Sequence, residues 1–139
     1  VKDVLINIKN SLHLSNVYFY DLVSKNEMPS VINAIDVAVI PLRRLDLFKG
    51  AIPSKIFEIL AMKKPILLGV EGEAKELFIK NGKCGLSFVP EDADDLSNQI
   101  VKLYNSPDIL KIMGVNGFEY VKENFSRDKI AEEFWEQLL

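Results

Sequence analysis

Four short apolar segments and the amphipathic stretches between them are the most regular feature of this chain. Residues 17–20, 37–40, 65–70 and 85–89 are rich in β-branched, aliphatic or aromatic side chains, which is typical of strands. Stretches with apolar residues at helical spacing separate them. Strands that alternate with helices in this way indicate a parallel sheet with helices on both faces. We therefore predict an α/β domain with a Rossmann-like parallel sheet.

The predicted helices include one at the start of the chain and three after the last strand. Residues 1–12 place apolar side chains at helical spacing, and Asp92 and Ser126 stand where two later helices need N-caps. The Asn-Gly-Lys sequence at 81–83 is suited to a left-handed helix end. The final helix carries one apolar stripe, which predicts packing against the domain. That stripe consists of Ile130, Phe134, Trp135 and Leu138.

The segment from Gly50 to Pro65 is the strongest candidate for a binding site. Pro53 suits the first turn of a helix, and we predict a helix over 53–62. Small residues precede it, so its free N–H groups are accessible to an anion. Ser54 adds a hydroxyl group and Lys55 adds a positive charge at the same place.

Glu58 lies one helical turn after Ser54. Both side chains project from one face, about 6 Å apart along the axis. This spacing fits a diphosphate at the helix start with a ribose one turn deeper. The loop 41–52 also leaves the carboxyl end of a predicted strand, where parallel sheets bind ligands. An ordinary helix with Glu58 on a solvated face is the simpler alternative.

Composition narrows the functional classes. The 139 residues correspond to one domain, and the net charge of -3 argues against a nucleic-acid partner. With Cys84 as the only cysteine and His13 as the only histidine, neither an internal disulfide nor a His/Cys metal site is expected. We predict a cytoplasmic protein from this cysteine usage and from the lack of a membrane-spanning apolar run.

The sequence Ile52-Pro53-Ser54-Lys55-Ile56-Phe57-Glu58-Ile59-Leu60-Ala61-Met62-Lys63-Lys64-Pro65-Ile66 resembles the donor-site segment of family-4 retaining glycosyltransferases. It is most similar to bacterial members that build O-antigen, capsule or exopolysaccharide. The resemblance continues in order through Gly72-Glu73-Ala74-Lys75-Glu76-Leu77, Gly85-Leu86 with Val89-Pro90, and Asn124-Phe125-Ser126. It covers nearly the whole chain.

This resemblance implies the carboxyl-terminal, nucleotide-sugar-binding half of a two-domain GT-B fold. The donor would be a UDP- or GDP-sugar, with UDP favoured, and neither a metal ion nor another cofactor is expected. The family's ribose-binding carboxylate falls on Glu58, and its diphosphate-binding helix start falls on Ile52, Pro53, Ser54 and Lys55. No residue is assigned a catalytic role. Tyr20 and Val23 stand where family members place the nucleobase.

The chain departs from the family pattern in two ways, and these affect the expected sugar contact and the expected activity. Many members carry a second glutamate near the donor sugar, and Gly50 occupies that position here. Nothing matches the first βα units of the domain, which carry a basic diphosphate clamp, and Arg43 and Arg44 are not assigned that role. Residues 1–139 are therefore expected to be a fragment without the acceptor domain, and inactive alone.

The intact parent is expected to be a hexosyl- or N-acetylhexosaminyl-type glycosyltransferase. Its other domain would bind a glycan or lipid-linked acceptor, with peripheral attachment to the inner face of the plasma membrane as an option. An exposed edge strand would allow self-association of the fragment. Two alternatives remain open. One is that the chain is part of a sugar-nucleotide epimerase, and the other is that it is a stand-alone flavodoxin-like binding or interaction module.

Overall fold

Three parallel strands form the centre of the structure. The computed structural model describes residues 1–138, and within them the strands are β1 (Ala38–Pro41), β2 (Ile66–Gly69) and β3 (Gly85–Ser87). Their order across the sheet is β1-β2-β3. Ala38 aligns with Ile66, and Ile66 in turn aligns with Gly85. The predicted α/β architecture with a parallel sheet is confirmed.

The helices connect the strands and complete the chain. Their bounds are α1 (Lys2–Ser11), α2 (Met28–Ala34), α3 (Lys55–Ala61), α4 (Ala93–Tyr104), α5 (Pro107–Phe125) and α6 (Arg127–Leu138). A 3-10 turn occupies Asp46–Phe48, and a π-helix occupies Lys75–Asn81 between β2 and β3.

The central strand is buried on both faces. Ile66 and Leu68 belong to the main core, together with Ile56 and Leu60 of α3. Leu67 points the other way, into a second cluster with Phe88 and Leu103. Successive strand residues face opposite sides of a sheet, so a strand covered on both sides must be apolar at every position. This explains the unbroken Ile-Leu-Leu run of β2.

Two glycines let α5 approach the core closely. A Cβ atom at Gly114 would lie 2.1 Å from the carbonyl oxygen of Lys63, and one at Gly117 would lie 2.6 Å from Leu60 Cδ2. Both glycines are buried in α5. Their lack of a side chain is what brings this helix against α3, so α5 supports the helix that carries the candidate site.

The predicted N-caps are confirmed, whereas the predicted left-handed helix end is displaced by one residue. The N–H of Asp95 donates to Asp92 Oδ1 at 2.9 Å, and the N–H of Lys129 donates to Ser126 Oγ at 3.3 Å. Gly82 has a right-handed φ of -77°, and Lys83 takes the positive φ of 49°. Gly82 is required for space instead, because a Cβ atom there would lie 2.6 Å from Cys84 Sγ.

The predicted strand at 17–20 is wrong. In the described chain β1 is paired with β2 alone, and no sheet hydrogen bond reaches residues 17–20. The segment lies beside α1 instead. Lys2 Nζ donates to the Tyr20 carbonyl at 3.3 Å, and Lys9 Nζ lies 5.6 Å from the centre of the Tyr18 ring. A β-branched and aromatic composition does not make a strand without a neighbouring strand.

The apolar stripe of α6 does not pack into the core. Helix α6 contains no buried residue, and its Phe134 and Trp135 side chains are 62% and 63% exposed. The periodicity correctly predicted a helix, but the prediction that this face packs on the domain is wrong for the chain as described.

Candidate functional site

The start of α3 offers unpaired backbone donors. Within residues 1–138, the N–H groups of Ser54 and Lys55 make no hydrogen bond to the protein, while the next two N–H groups are used in the turn. Ile56 donates to the carbonyl of Pro53 at 3.0 Å, and Phe57 donates to that of Ser54 at 3.1 Å. The helix therefore begins at Lys55, and Pro53 precedes it rather than forming its first turn.

Residues 52–55, at the start of α3, consist of a half-buried pair followed by an exposed pair. Ile52 is half-buried and packs against the main core. Pro53 is also half-buried, whereas Ser54 and Lys55 are exposed. A Cβ atom at Gly50 would meet nothing within 4 Å. The small-residue approach predicted from the sequence is thus physically open at Gly50.

Glu58 lies in an apolar groove beside α3. The groove has a volume of about 500 Å³. Its lining combines residues of the segment before α2, of α2, of α3 and of the C-cap after α3, namely Val23, Lys25, Met28, Pro29, Ile32, Glu58, Ala61 and Met62. Ligand pockets commonly pair such an apolar wall with a few polar groups that fix orientation. Glu58 and Lys25 are the charged residues of this lining.

The carboxylate of Glu58 is available to a ligand. Its residue is exposed, and none of the ion pairs among residues 1–138 includes it. An ionised carboxylate accepts hydrogen bonds at both oxygens, which suits two neighbouring hydroxyl groups. Ser54 stands one turn earlier at the start of the same helix, as the sequence predicted.

The two residues predicted to lie near the nucleobase, Val23 and Tyr20, line different depressions in the structure. Val23 lines the groove that contains Glu58. Tyr20 is 84% exposed and lies with Tyr18 in a different depression beside α1. The structure therefore brings Val23 to Glu58 and leaves Tyr20 elsewhere. Met28 and Met62 complete the groove and were not singled out from the sequence, although their apolar character at helix ends was a usable signal.

A second, smaller depression lies at the carboxyl ends of β1 and β2. It has a volume of about 150 Å³. Its charged residues come from two loops, with Arg43, Arg44, Asp46 and Lys49 following β1 and Glu71 following β2. We refer to it as the charged pocket. Sequence reasoning did not connect these two loops.

Ion pairs organise the charged pocket. Lys49 Nζ lies 2.7 Å from Asp46 Oδ1, and Arg44 Nη2 lies 4.0 Å from Glu71 Oε1. The hydrogen bond from Lys49 lowers the pKa of Asp46. In return Asp46 raises the pKa of Lys49, and Glu71 adds to that increase while Arg44 opposes it. The pocket lining thus combines three cationic side chains, those of Arg43, Arg44 and Lys49, with two carboxylates, those of Asp46 and Glu71.

Comparison with known proteins identifies the family. The model for glycosyl transferases group 1 matches residues 2–120. This chain belongs to the group 1 glycosyltransferases. It is 29% identical over 109 residues to the MMP alpha-(1->4)-mannosyltransferase of Mycolicibacterium hassiacum. This alignment covers 78% of this chain and 25% of that protein. The chain therefore spans about a quarter of the length of this curated relative.

Solved glycosyltransferase structures share the fold of this group 1 chain. Sucrose-phosphate synthase from Thermosynechococcus elongatus has a TM-score of 0.78 at 22% identity, over 96% of this chain and 33% of that one. HepE of Anabaena in complex with UDP has a TM-score of 0.78 at 20% identity, and the match covers 98% of this chain and 36% of that one. The carboxyl-terminal domain of the group 1 protein LpcC from Francisella tularensis has a TM-score of 0.73 at 18% identity, over 91% and 63%.

These similarities confirm the predicted GT-B carboxyl-terminal fold. The family match also favours a glycosyltransferase over the epimerase and the flavodoxin-like interaction module. None of the helices within residues 1–138 of this group 1 chain combines the length and the apolar character that crossing a bilayer requires.

Proposed function

We propose that this chain is the nucleotide-sugar-binding domain of a family-4 retaining glycosyltransferase. The observation that carries the proposal is the position of Glu58, which combines an available carboxylate with an apolar groove one turn below unpaired N–H groups. A nucleotide diphosphate has the same sequence of chemical groups, namely a flat base, a ribose with two hydroxyls, and a doubly charged diphosphate.

Glu58 would accept hydrogen bonds from the ribose hydroxyls. The N–H groups of Ser54 and Lys55 would meet the diphosphate, and the Lys55 ammonium group adds a positive charge there. Because α3 has seven residues, its macrodipole is small, so these individual donors carry the anion contact. Ile52 and Pro53 would hold the approach in place through their half-buried side chains.

The nucleobase would occupy the apolar part of the groove. Val23, Met28 and Met62 supply walls against which a flat ring can pack. Uracil is our proposed base, because the similar HepE structure contains UDP. The relative from Mycolicibacterium hassiacum is a mannosyltransferase, so a guanine-linked donor is the comparison that the binding experiment must include.

The intact enzyme would transfer a hexosyl or N-acetylhexosaminyl group, with retention, to a glycan or lipid-linked acceptor bound by another domain. No side chain of this domain is proposed as a nucleophile. Positioning of the two substrates and stabilisation of the leaving diphosphate by N–H groups would supply most of the rate. We expect the 139-residue chain by itself to bind the donor weakly and to be inactive in transfer.

Calorimetric titration of UDP and GDP into the chain tests this proposal. We expect UDP to bind, and Glu58→Gln to weaken its binding about tenfold, which corresponds to the loss of one hydrogen-bonded charge. Glu132→Gln, an exposed position on α6, serves as the control and leaves binding unchanged. Equal binding by wild type and Glu58→Gln would exclude the ribose role. Failure of wild type to bind either nucleotide would exclude a donor site.

A further inference from the structure

One short turn supplies part of the lining of the groove beside α3. Val23 and Lys25 lie before α2, and Met28 is the first residue of α2. Ser24 and Glu27 stand between these three along the chain, and they are not among the groove-lining residues of the described chain. Each of the three is a direct neighbour of Ser24 or Glu27. The contacts of Ser24 and Glu27 therefore determine where this part of the lining lies.

Ser24 and Glu27 are bonded to each other through backbone and side chains. The Glu27 Oε2 atom accepts from the Ser24 N–H at 3.0 Å and from the Ser24 hydroxyl at 2.7 Å. In the other direction, the N–H of Glu27 donates to the Ser24 carbonyl at 3.1 Å. A glutamate whose carboxylate reaches back to the N–H of a serine three residues earlier is one half of a capping box. We refer to residues 24–27 as the capped turn.

Met28 joins the capped turn to the groove. Its N–H donates to the Ser24 carbonyl at 3.1 Å, and Met28 itself lines the groove. Pro29 follows in the lining, and its fixed φ continues the chain into α2. The remaining lining belongs to α2, to α3 and to the C-cap of α3, and it includes Glu58. A displacement of the capped turn would therefore change the width of the groove beside Glu58.

The segment that leads into the capped turn has few other restraints. Residues 21–27 are exposed, and within the described chain residues 17–24 belong to no helix or strand. The Lys2 ammonium group lies 2.5 Å from Asp21 Oδ1, but these side chains are 45% and 96% exposed, so their ion pair contributes little. It also joins residues that are 19 positions apart, whereas the capped turn closes over only 3. The shorter closure costs less chain entropy.

We propose that Ser24 and Glu27 are positioning residues for the nucleobase, because their mutual hydrogen bonds hold Val23 and Met28 in place against it. This proposal rests on the proposed donor-binding function. It adds to that function a cause for the fixed width of the groove. The Glu27 carboxylate is occupied by Ser24, so it acts through the turn and not on the nucleotide. No bond-breaking step is attributed to either residue.

Saturation-transfer NMR with UDP on the 139-residue chain tests this role, because it reports which ligand protons touch the protein. The readout is the saturation of uracil H6 divided by that of ribose H1′ in the same molecule. A merely destabilised protein binds less UDP but leaves this ratio unchanged. We expect comparable saturation of the two protons in the wild type and a lower ratio in Ser24→Ala and Glu27→Ala. Calorimetry should show about threefold weaker UDP binding by Glu27→Ala, which corresponds to the loss of a hydrogen bond.

A double variant and a conservative one separate the hydrogen bond from other effects. Ser24→Ala combined with Glu27→Ala should behave as Glu27→Ala alone, because both changes act on the same interaction. Ser24→Thr retains the hydroxyl group and should restore the wild-type ratio. Effects of the two single changes that simply add would overturn the proposal, and so would a Ser24→Thr ratio as low as that of Ser24→Ala.

Two matched controls remove similar exposed hydrogen bonds away from the groove. The Ser11 hydroxyl donates to the Ile8 carbonyl at 2.9 Å, and Glu76 Oε2 lies 2.6 Å from Lys80 Nζ. Ser11→Ala and Glu76→Ala should both leave the ratio unchanged.

The remaining outcomes distinguish this role from the donor site itself. An unchanged ratio in Glu27→Ala, with UDP still bound, would overturn the positioning role alone. Saturation of the ribose without the uracil in the wild type would do the same. Absence of saturation of every UDP proton in the wild type would overturn the donor-binding function, and the positioning role with it.

Discussion

The backbone N–H of Glu73 donates to the carbonyl oxygen of Lys49, with 2.8 Å between nitrogen and oxygen. Lys49 lies in the loop after β1, and Glu73 begins the helical segment after the adjacent parallel strand β2. Their bond fixes the loop after β2 to the loop that leads into α3. Arg44 and Glu71, which follow β1 and β2 respectively, lie 4.0 Å apart beside this contact.

Replacement of Gly72 by alanine should loosen this connection. The residue has a φ of 87°, and a Cβ atom would lie 2.1 Å from the Lys49 oxygen, so both backbone conformation and space oppose a side chain. We expect a loss of about 1–3 kcal/mol in the free energy of unfolding. Urea denaturation measures it. Gly50→Ala is the control and should change stability by less than about 0.5 kcal/mol, because its Cβ atom has free space. Equal stability of the two variants would contradict the argument.

Phe78 connects the π-helix to α3 and α5. Its ring is fully buried and lies 5.6 Å from that of Phe57 and 5.7 Å from that of Phe125, centre to centre. Phe78→Ala should lower the free energy of unfolding by about 3–5 kcal/mol, because the cavity left behind cannot be refilled easily. Phe57 is the residue before Glu58, so nucleotide affinity should fall as well.

Phe134→Ala is the matched control for this large effect. The Phe134 side chain is 62% exposed on α6, so its removal should change the free energy of unfolding by no more than about 0.5 kcal/mol. Thermal and urea unfolding of both variants provide the comparison. A larger decrease in the free energy of unfolding for Phe134→Ala than for Phe78→Ala would contradict the central position of Phe78 in the core.

The local sequence pattern correctly predicted the three paired strands, but it also predicted a strand at 17–20 that does not form. The run Ile66–Leu68 has apolar residues at every position, which corresponds to a strand covered on both faces. The run at 17–20 has an equally suitable composition, but strand formation needs a neighbour to receive its hydrogen bonds. Since β1 pairs with β2 alone among the described residues, residues 17–20 lack that neighbour.

The same distinction applies to the candidate site. Ser54 and Glu58 are one helical turn apart, so their common face follows from helix geometry alone. Arg44 and Glu71 are brought together by a contact between two loops, which no local spacing encodes. Their position after adjacent parallel strands was the available signal, because the carboxyl ends of such strands meet at one edge of the sheet.

Burial raises the pKa of the Cys84 thiol to about 12. The thiol is fully buried next to Gly82, so the charged thiolate is disfavoured in the folded state. Alkylation by iodoacetamide at pH 8.5 should therefore be slow in the native protein and rapid in urea. Rapid modification of the native protein would show that the region around Gly82 opens.

The same shift predicts a direction for stability. The pKa of Cys84 is higher in the folded than in the unfolded chain, so its contribution is fully present below about pH 9 and is lost as the pH rises toward 12. Cys84→Ala should remove this part of the pH dependence. Urea denaturation of both proteins between pH 8 and 11 provides the comparison, and parallel curves would contradict it.

The free edge of β1 predicts weak self-association of the 139-residue chain. Ala38 and Leu42 donate to the carbonyls of Pro65 and Gly69, so alternate N–H groups face β2 and that of Val39 faces away. Pro41 has no N–H group, which leaves few donors for a second strand and keeps the pairing weak. Sedimentation velocity should show a concentration-dependent dimer.

Val39→Lys should shift this equilibrium to the monomer, because a charge on an edge strand opposes pairing between copies. The Val39 side chain is 42% exposed, so the longer side chain has access to solvent. Val101→Lys, at a valine that is 55% exposed on α4, adds the same charge away from the edge and should leave the dimer unchanged. A monomer at every concentration would contradict the role of the edge, and so would an equal effect of the two substitutions.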